Sequence, residues 1–137
     1  MREILFRGKT TLDNEWVIGA GVYKSEGNTL IITDDVTKTE NRGTGSDAIN
    51  PETVGQYTGL TDENGIEMYE GDIVYGAAHW LERYVPAVVT FRNGSFGLLW
   101  YRGEVEEFNP FTSMCNVEYT VVGNIYDNPE LLKGGAE

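Results

Sequence analysis

Asp62, Glu63, Asn64, Glu67, Glu70 and Asp72 crowd oxygen ligands into one short stretch, the kind of set that could hold a divalent cation. A calcium loop, however, spaces its ligands alternately around a glycine at the sixth position and ends on a bidentate glutamate at the twelfth, between two helices. Here Gly65 follows Asp62 by only three residues. The run therefore reads as a solvated acidic hairpin. Glu70 and Asp72 could also act with His79 as acid and base, or hold a metal through carboxylates. No Ser-His-Asp spacing, phosphate loop or metal-ligand pattern accompanies them. Cys115 is the only thiol and His79 the only imidazole, and they are far apart in sequence, so a structural thiol is the favoured reading over a nucleophile. The residues thus assign no catalytic group, no cofactor and no metal.

The elements that must position these residues are strands. Asn64-Gly65 places two residues tolerant of positive φ side by side, as a two-residue type I′ hairpin requires, so Leu60 and Met68 are expected on arms that fold back. Asn93-Gly94 repeats the signal between strands expected over Val85 to Phe91 and Ser95 to Tyr101. Gly71-Asp72 reads as a tight turn into a strand over Asp72 to Ala78, with Asp72 bonding nearby amides. A further strand is expected over Glu118 to Tyr126, and with the Val54 strand these suffice for a small barrel.

Towards the N-terminus, Glu3 to Arg7, Glu15 to Tyr23 and Thr29 to Thr33 read as a three-stranded meander, turned at Leu12-Asp13-Asn14 and Ser25-Glu26-Gly27. Asp34 to Ile49 holds hardly an apolar residue and reads as an exposed loop, which places a polar linker over 34–50 between a meander at 1–33 and a β barrel at 51–132. Asn128, Pro129 and Glu130-Leu131-Leu132 resemble a cap, a first helical residue and a short helical turn, with a frayed tail over 133–137.

Composition narrows the partners. The chain has 137 residues, 40% hydrophobic and 12% aromatic, enough for a globular core without disulfides. Twenty-two acidic residues against ten basic ones give a net charge of −12, a field that repels phosphate backbones and anionic membranes. No two basic residues adjoin, so there is no linear basic motif. With no apolar leader and a single cysteine, a soluble cytoplasmic protein is expected.

Two blocks, PETVGQYTGLTDENGIEMYEGDIV at Pro51 to Val74 and VVGNIYDNPELL at Val121 to Leu132, preceded by ILFRGK at Ile4 to Lys9 and a tryptophan strand around Trp16, resemble the YopX family of phage and prophage proteins. The resemblance implies a mainly β protein, a C-terminal part similar to an SH3-type barrel, self-association into a homo-oligomer and no assigned activity. It marks Gly55, Gly59, Asn64, Gly65, Gly71, Asp72, Gly123, Asn124 and Pro129 as structural motif positions.

Three function classes follow. The first is a non-enzymatic interaction or self-assembling module, in which Gln56, Tyr57 and Thr58, or the aromatics Trp80, Tyr84, Trp100, Tyr101 and Phe108, meet a host or phage protein. Core packing competes for each of them. The second is a nucleic-acid-binding barrel using exposed aromatics and Arg83, Arg92 and Arg102, against which the net charge weighs. An enzyme built on the carboxylate pair is the least supported.

Overall fold

Strands form wherever β-branched and aromatic residues alternate or run together, and short turns rich in Gly, Asn and Asp join them. The structure, a computed structural model, describes residues 4–33, 45–77, 85–102, 105–111 and 118–134. Its strands are β1 (Phe6–Lys9), β2 (Trp16–Gly19), β3 (Gly21–Ser25), β4 (Asn28–Thr33), β5 (Gly45–Ile49), β6 (Gly55–Thr61), β7 (Glu67–Tyr69), β8 (Asp72–Ala77), β9 (Val85–Arg92), β10 (Ser95–Arg102), β11 (Val105–Pro110) and β12 (Glu118–Asn124). A 3₁₀ turn spans Pro51–Thr53 and the short helix α1 spans Glu130–Gly134. The chain divides into two compact units, Met1–Tyr57 and Thr58–Glu137, and β6 runs from one into the other.

In the first unit, β1 pairs antiparallel with β2 and with the start of β6, while β3, β4 and β5 form a separate antiparallel sheet. The single meander expected here is therefore two sheets, and the strand expected over Glu15 to Tyr23 breaks at Ala20. Gly45–Ile49, expected to be loop, is the outer strand β5. The reason is visible at its end: Ile49 is 1% exposed, Thr10 bridges to it, and Thr11 N–H donates to Ala48 O at 3.0 Å. Ile31 lies equally deep. Asn50 and Thr53 fasten the 3₁₀ turn to β1: Asn50 N–H donates to Lys9 O at 2.8 Å, and Lys9 N–H donates to the buried Thr53 hydroxyl at 2.8 Å. The Arg7 guanidinium and the Lys9 ammonium lie 4.5 and 5.4 Å from the Trp16 ring centre, so both cations of β1 stack on the tryptophan of β2.

In the second unit, five antiparallel strands follow the order β11-β10-β9-β8-β12. Four form a meander, and the last returns beside the first. Among the described residues these pairings leave β11 and β12 as the outer strands of the sheet. β11 lies in a stretch with no strand signal in the sequence; β10 supplies its pairing partners from Gly97 to Arg102. Met68, Val74, Ala87, Val89, Leu98 and Trp100 form the core, with Phe111, Tyr119 and Val121 packed against it. Ile73, Val88 and Leu99, the alternate residues, are also buried, which accounts for the nearly continuous apolar runs of β8 to β10.

Two hairpin turns have the type I′ pattern of paired positive φ: Glu26-Gly27 (51° and 82°) and Asn93-Gly94 (54° and 80°). The Asn64-Gly65 turn does not. Gly65 alone has positive φ (82°), and the loop is closed by Asp62 N–H donating to Ile66 O and Gly65 N–H to Asp62 O, a longer turn than the two-residue one expected.

Leu98 is 2% exposed at the middle of the core. Leu98→Ala should cost about 2–5 kcal/mol, from lost transfer energy and the cavity left behind. Urea denaturation checks this through a lower midpoint.

Candidate functional site

The motif residues converge on the turn between β6 and β7 and on the turns around β8 and β12. Asp62 is 6% exposed, and its carboxylate accepts three main-chain amides: Asn64 N–H at 2.8 Å, Ile66 N–H at 2.9 Å and Val121 N–H at 3.0 Å. Two of these shape its own turn. The third comes from β12, an outer strand. Glu63 completes the join, since its N–H donates to Tyr119 O at 3.0 Å and its carboxylate accepts the Thr120 hydroxyl at 2.7 Å. The turn thus satisfies the outward amide of Val121 and carbonyl of Tyr119 as a neighbouring strand would, and covers part of a sheet edge. Burial pushes the Asp62 carboxyl up, but the amides from Val121, Ile66 and Asn64 outweigh it and hold the group below its ordinary 3.8.

Asp72 and Gly71 make the next turn. Gly71 has φ +91°, a conformation that strains any other residue, and a β-carbon there would press at 3.0 Å on the Tyr126 ring. Gly71 N–H donates to Val89 O and its carbonyl accepts Ile125 N–H, each at 2.9 Å. The buried Asp72 carboxylate accepts Tyr69 N–H at 2.8 Å. At the end of β12 the Asn124 side chain accepts Tyr126 N–H at 3.0 Å and Asp127 N–H at 2.9 Å, and Asn128 N–H donates to Asn124 O. A β-carbon on Gly123 would stand 2.5 Å from the Asn128 side-chain oxygen, so a larger residue there would displace that side chain. After Pro129, α1 starts with Leu131 N–H donating to Asn128 O.

The residues expected to recognise a partner fall into different places. Gly55 and Gln56 lie on β6 opposite Arg7 and Phe6. Tyr57 is 8% exposed and Thr58 5%; Tyr57 N–H donates to Leu5 O, and the Thr58 hydroxyl accepts Leu60 N–H across Gly59, whose φ is +87°. Trp100 lies in the core of the second unit. Tyr101 sits on β10 opposite Glu106. Trp80, Tyr84, His79, Arg83 and Cys115 lie outside the described residues. Arg92 carries its charge beside Glu106, at 3.7 Å, and over the Phe108 ring at 5.8 Å. Arg102 lies on β10 opposite Val105. Sequence reasoning missed the clasp formed by Asp62; its signal is the Asp two residues before Asn-Gly, the spacing at which a carboxylate caps a turn.

Large apolar side chains remain in water on the second unit: Leu60 (43% exposed), Ile66 (52%) and Phe91 (50%), with Phe91 edge-on to Phe96 at 4.9 Å. Among the described residues no helix is long and apolar enough to cross a membrane.

These features define a two-unit antiparallel β protein whose recurrent polar residues secure turns and a sheet edge. The chain belongs to the YopX protein family, whose model matches residues 5–133. It is similar to the solved structure of protein yopX from Bacillus subtilis, with 18% identity over 96% of this chain and 99% of that one and a TM-score of 0.52. It is also similar to protein EF1440 from Enterococcus faecalis, at 23% identity, 94% and 97% coverage and a TM-score of 0.49. No curated protein matches it.

Asp62→Asn replaces one accepting oxygen with an amide that cannot accept, and should cost about 1–3 kcal/mol at neutral pH. Because the folded-state carboxyl lies below its unfolded value, the unfolded chain binds more protons in that window and stability rises with pH there. The difference between the parent and Asp62→Asn should be full above the ordinary carboxylate value and shrink as pH falls through the lower folded one. Denaturation at a series of acidic pH values measures it.

Proposed function

We propose that this protein is a non-enzymatic interaction module, an accessory protein acting inside a bacterial cell in the phage or prophage setting that the family resemblance implies. The observation that carries the reading is the exposure of Leu60, Ile66 and Phe91 on the second unit. That unit also holds thirteen acidic and four basic residues, against nine and six in the first. Exposed aliphatic and aromatic side chains among charges are what a protein-binding surface offers, whereas a phosphate-binding one would offer cations.

The polar groups that could have argued for chemistry support the same reading. Asp62 and Asp72, the buried carboxylates of the acidic run, accept main-chain amides, and Asn124 caps the turn after β12. Arg92, one of the three arginines considered for phosphate contact, stands beside a carboxylate.

A tagged pull-down from nuclease-treated host lysate, compared with an acidic control protein of matched charge, tests the proposal, with light scattering on the purified chain alongside. Enrichment of one protein over the control, or a scattering mass that is a multiple of the chain, is the expected result. Recovery of the bait alone from a monomeric sample would contradict it.

A further inference from the structure

We propose that the β6–β7 hairpin tip is a preformed docking knob, with Leu60 and Ile66 as its apolar anchors, and that its occupant is a basic protein surface whose apolar cleft is rimmed by lysine or arginine. The inference rests on the interaction reading above and names its surface and partner class.

Three observations converge on the tip. First, Leu60 is 43% and Ile66 52% exposed, and the Asp62 N–H to Ile66 O bond, 2.8 Å, folds Ile66 back across the hairpin. Second, the tip is held rather than loose. Asp62 takes two amides from within the turn and one from Val121, while Glu63 binds Tyr119 through its N–H and Thr120 through its carboxylate. A turn fixed in this way presents its side chains with little further ordering to undergo on binding.

The third observation, charge, selects the occupant. From Gly43 to Glu82 the chain contains eight acidic residues and no lysine or arginine. Exposed Glu63 and half-buried Glu67 flank Ile66 at the tip itself. Apolar anchors within an acidic rim match an apolar cleft within a basic rim, and they repel a nucleic acid, an anionic membrane or a second copy of the same hairpin. The second unit's net charge of −9 extends the same attraction over a longer range at low salt.

The test uses the full chain with a photo-reactive residue at position 66 or, as control, at position 12. Leu12 is 94% exposed and belongs to the less acidic first unit. After crosslinking in nuclease-treated lysate, the captured protein is identified, purified and titrated against the parent chain, Leu60→Ser/Ile66→Ser and Glu63→Gln/Glu67→Gln at two salt concentrations. The expected result is capture of a basic protein from position 66 and not from position 12. Leu60→Ser/Ile66→Ser should raise Kd about tenfold or more. Glu63→Gln/Glu67→Gln should raise it at low salt, with the difference shrinking at high salt. If the first double variant melts early, Ile66→Ser alone replaces it.

Equal capture from both positions, capture of an acidic protein, or a Kd unmoved by either double variant overturns the proposal. A partner that the pull-down enriches and whose Kd ignores these variants removes the docking site and leaves the interaction reading standing. A pull-down and scattering measurement that find neither partner nor multimer remove both.

Discussion

A single carboxylate ties together parts of the second unit that are far apart in sequence. Asp62 lies 59 residues from Val121, yet its side chain accepts that residue's amide while shaping its own turn through Asn64 and Ile66. The underlying constraint is general: every main-chain amide taken from water must find an acceptor, and the outer strand of a sheet has amides with no strand beside them. Here a turn serves as the missing neighbour. The carboxylate that does so is ionised throughout the physiological range, which makes its hydrogen bonds the stronger charge-assisted kind.

The same economy explains the other motif positions. Asp72 and Gly71 deliver the chain into β8, and Gly123, Asn124 and Asn128 turn it out of β12. β12 pairs with β8 from Glu118↔Ala77 to Asn124↔Asp72, so the two turn systems lie at adjacent ends of paired strands. The most recognisable residues of the sequence are thereby committed to architecture. Ile66, outside those motif positions, instead faces water on the turn that Asp62 secures.

This division decides how much could be read from the sequence. Asn93-Gly94 was legible because two residues of positive φ and closely spaced β-rich runs specify a type I′ hairpin locally. Strands β8, β9 and β10 were legible as apolar runs buried on both faces. β5 and β11 were not, since outer strands rich in polar and charged residues owe their conformation to the partners β4 and β10. The Asn64-Gly65 turn shows the opposite error. Its local signal matched a two-residue hairpin, but Asp62 recruits a longer loop by holding two of its amides at once. The candidate site was legible only as a cluster of acidic residues, because whether a carboxylate meets solvent or the amide of a residue 59 positions away is settled by the fold.

Amide hydrogen exchange on the parent chain and Asp62→Ala tests whether Asp62 pairs the outer edge of β12. The Val121, Asn64 and Ile66 amides should be protected in the parent and lose protection together in the variant, while the Val74 amide in the core of the sheet retains it. A Val121 amide that exchanges at the unprotected rate in the parent, or keeps its protection without the carboxylate, would contradict it.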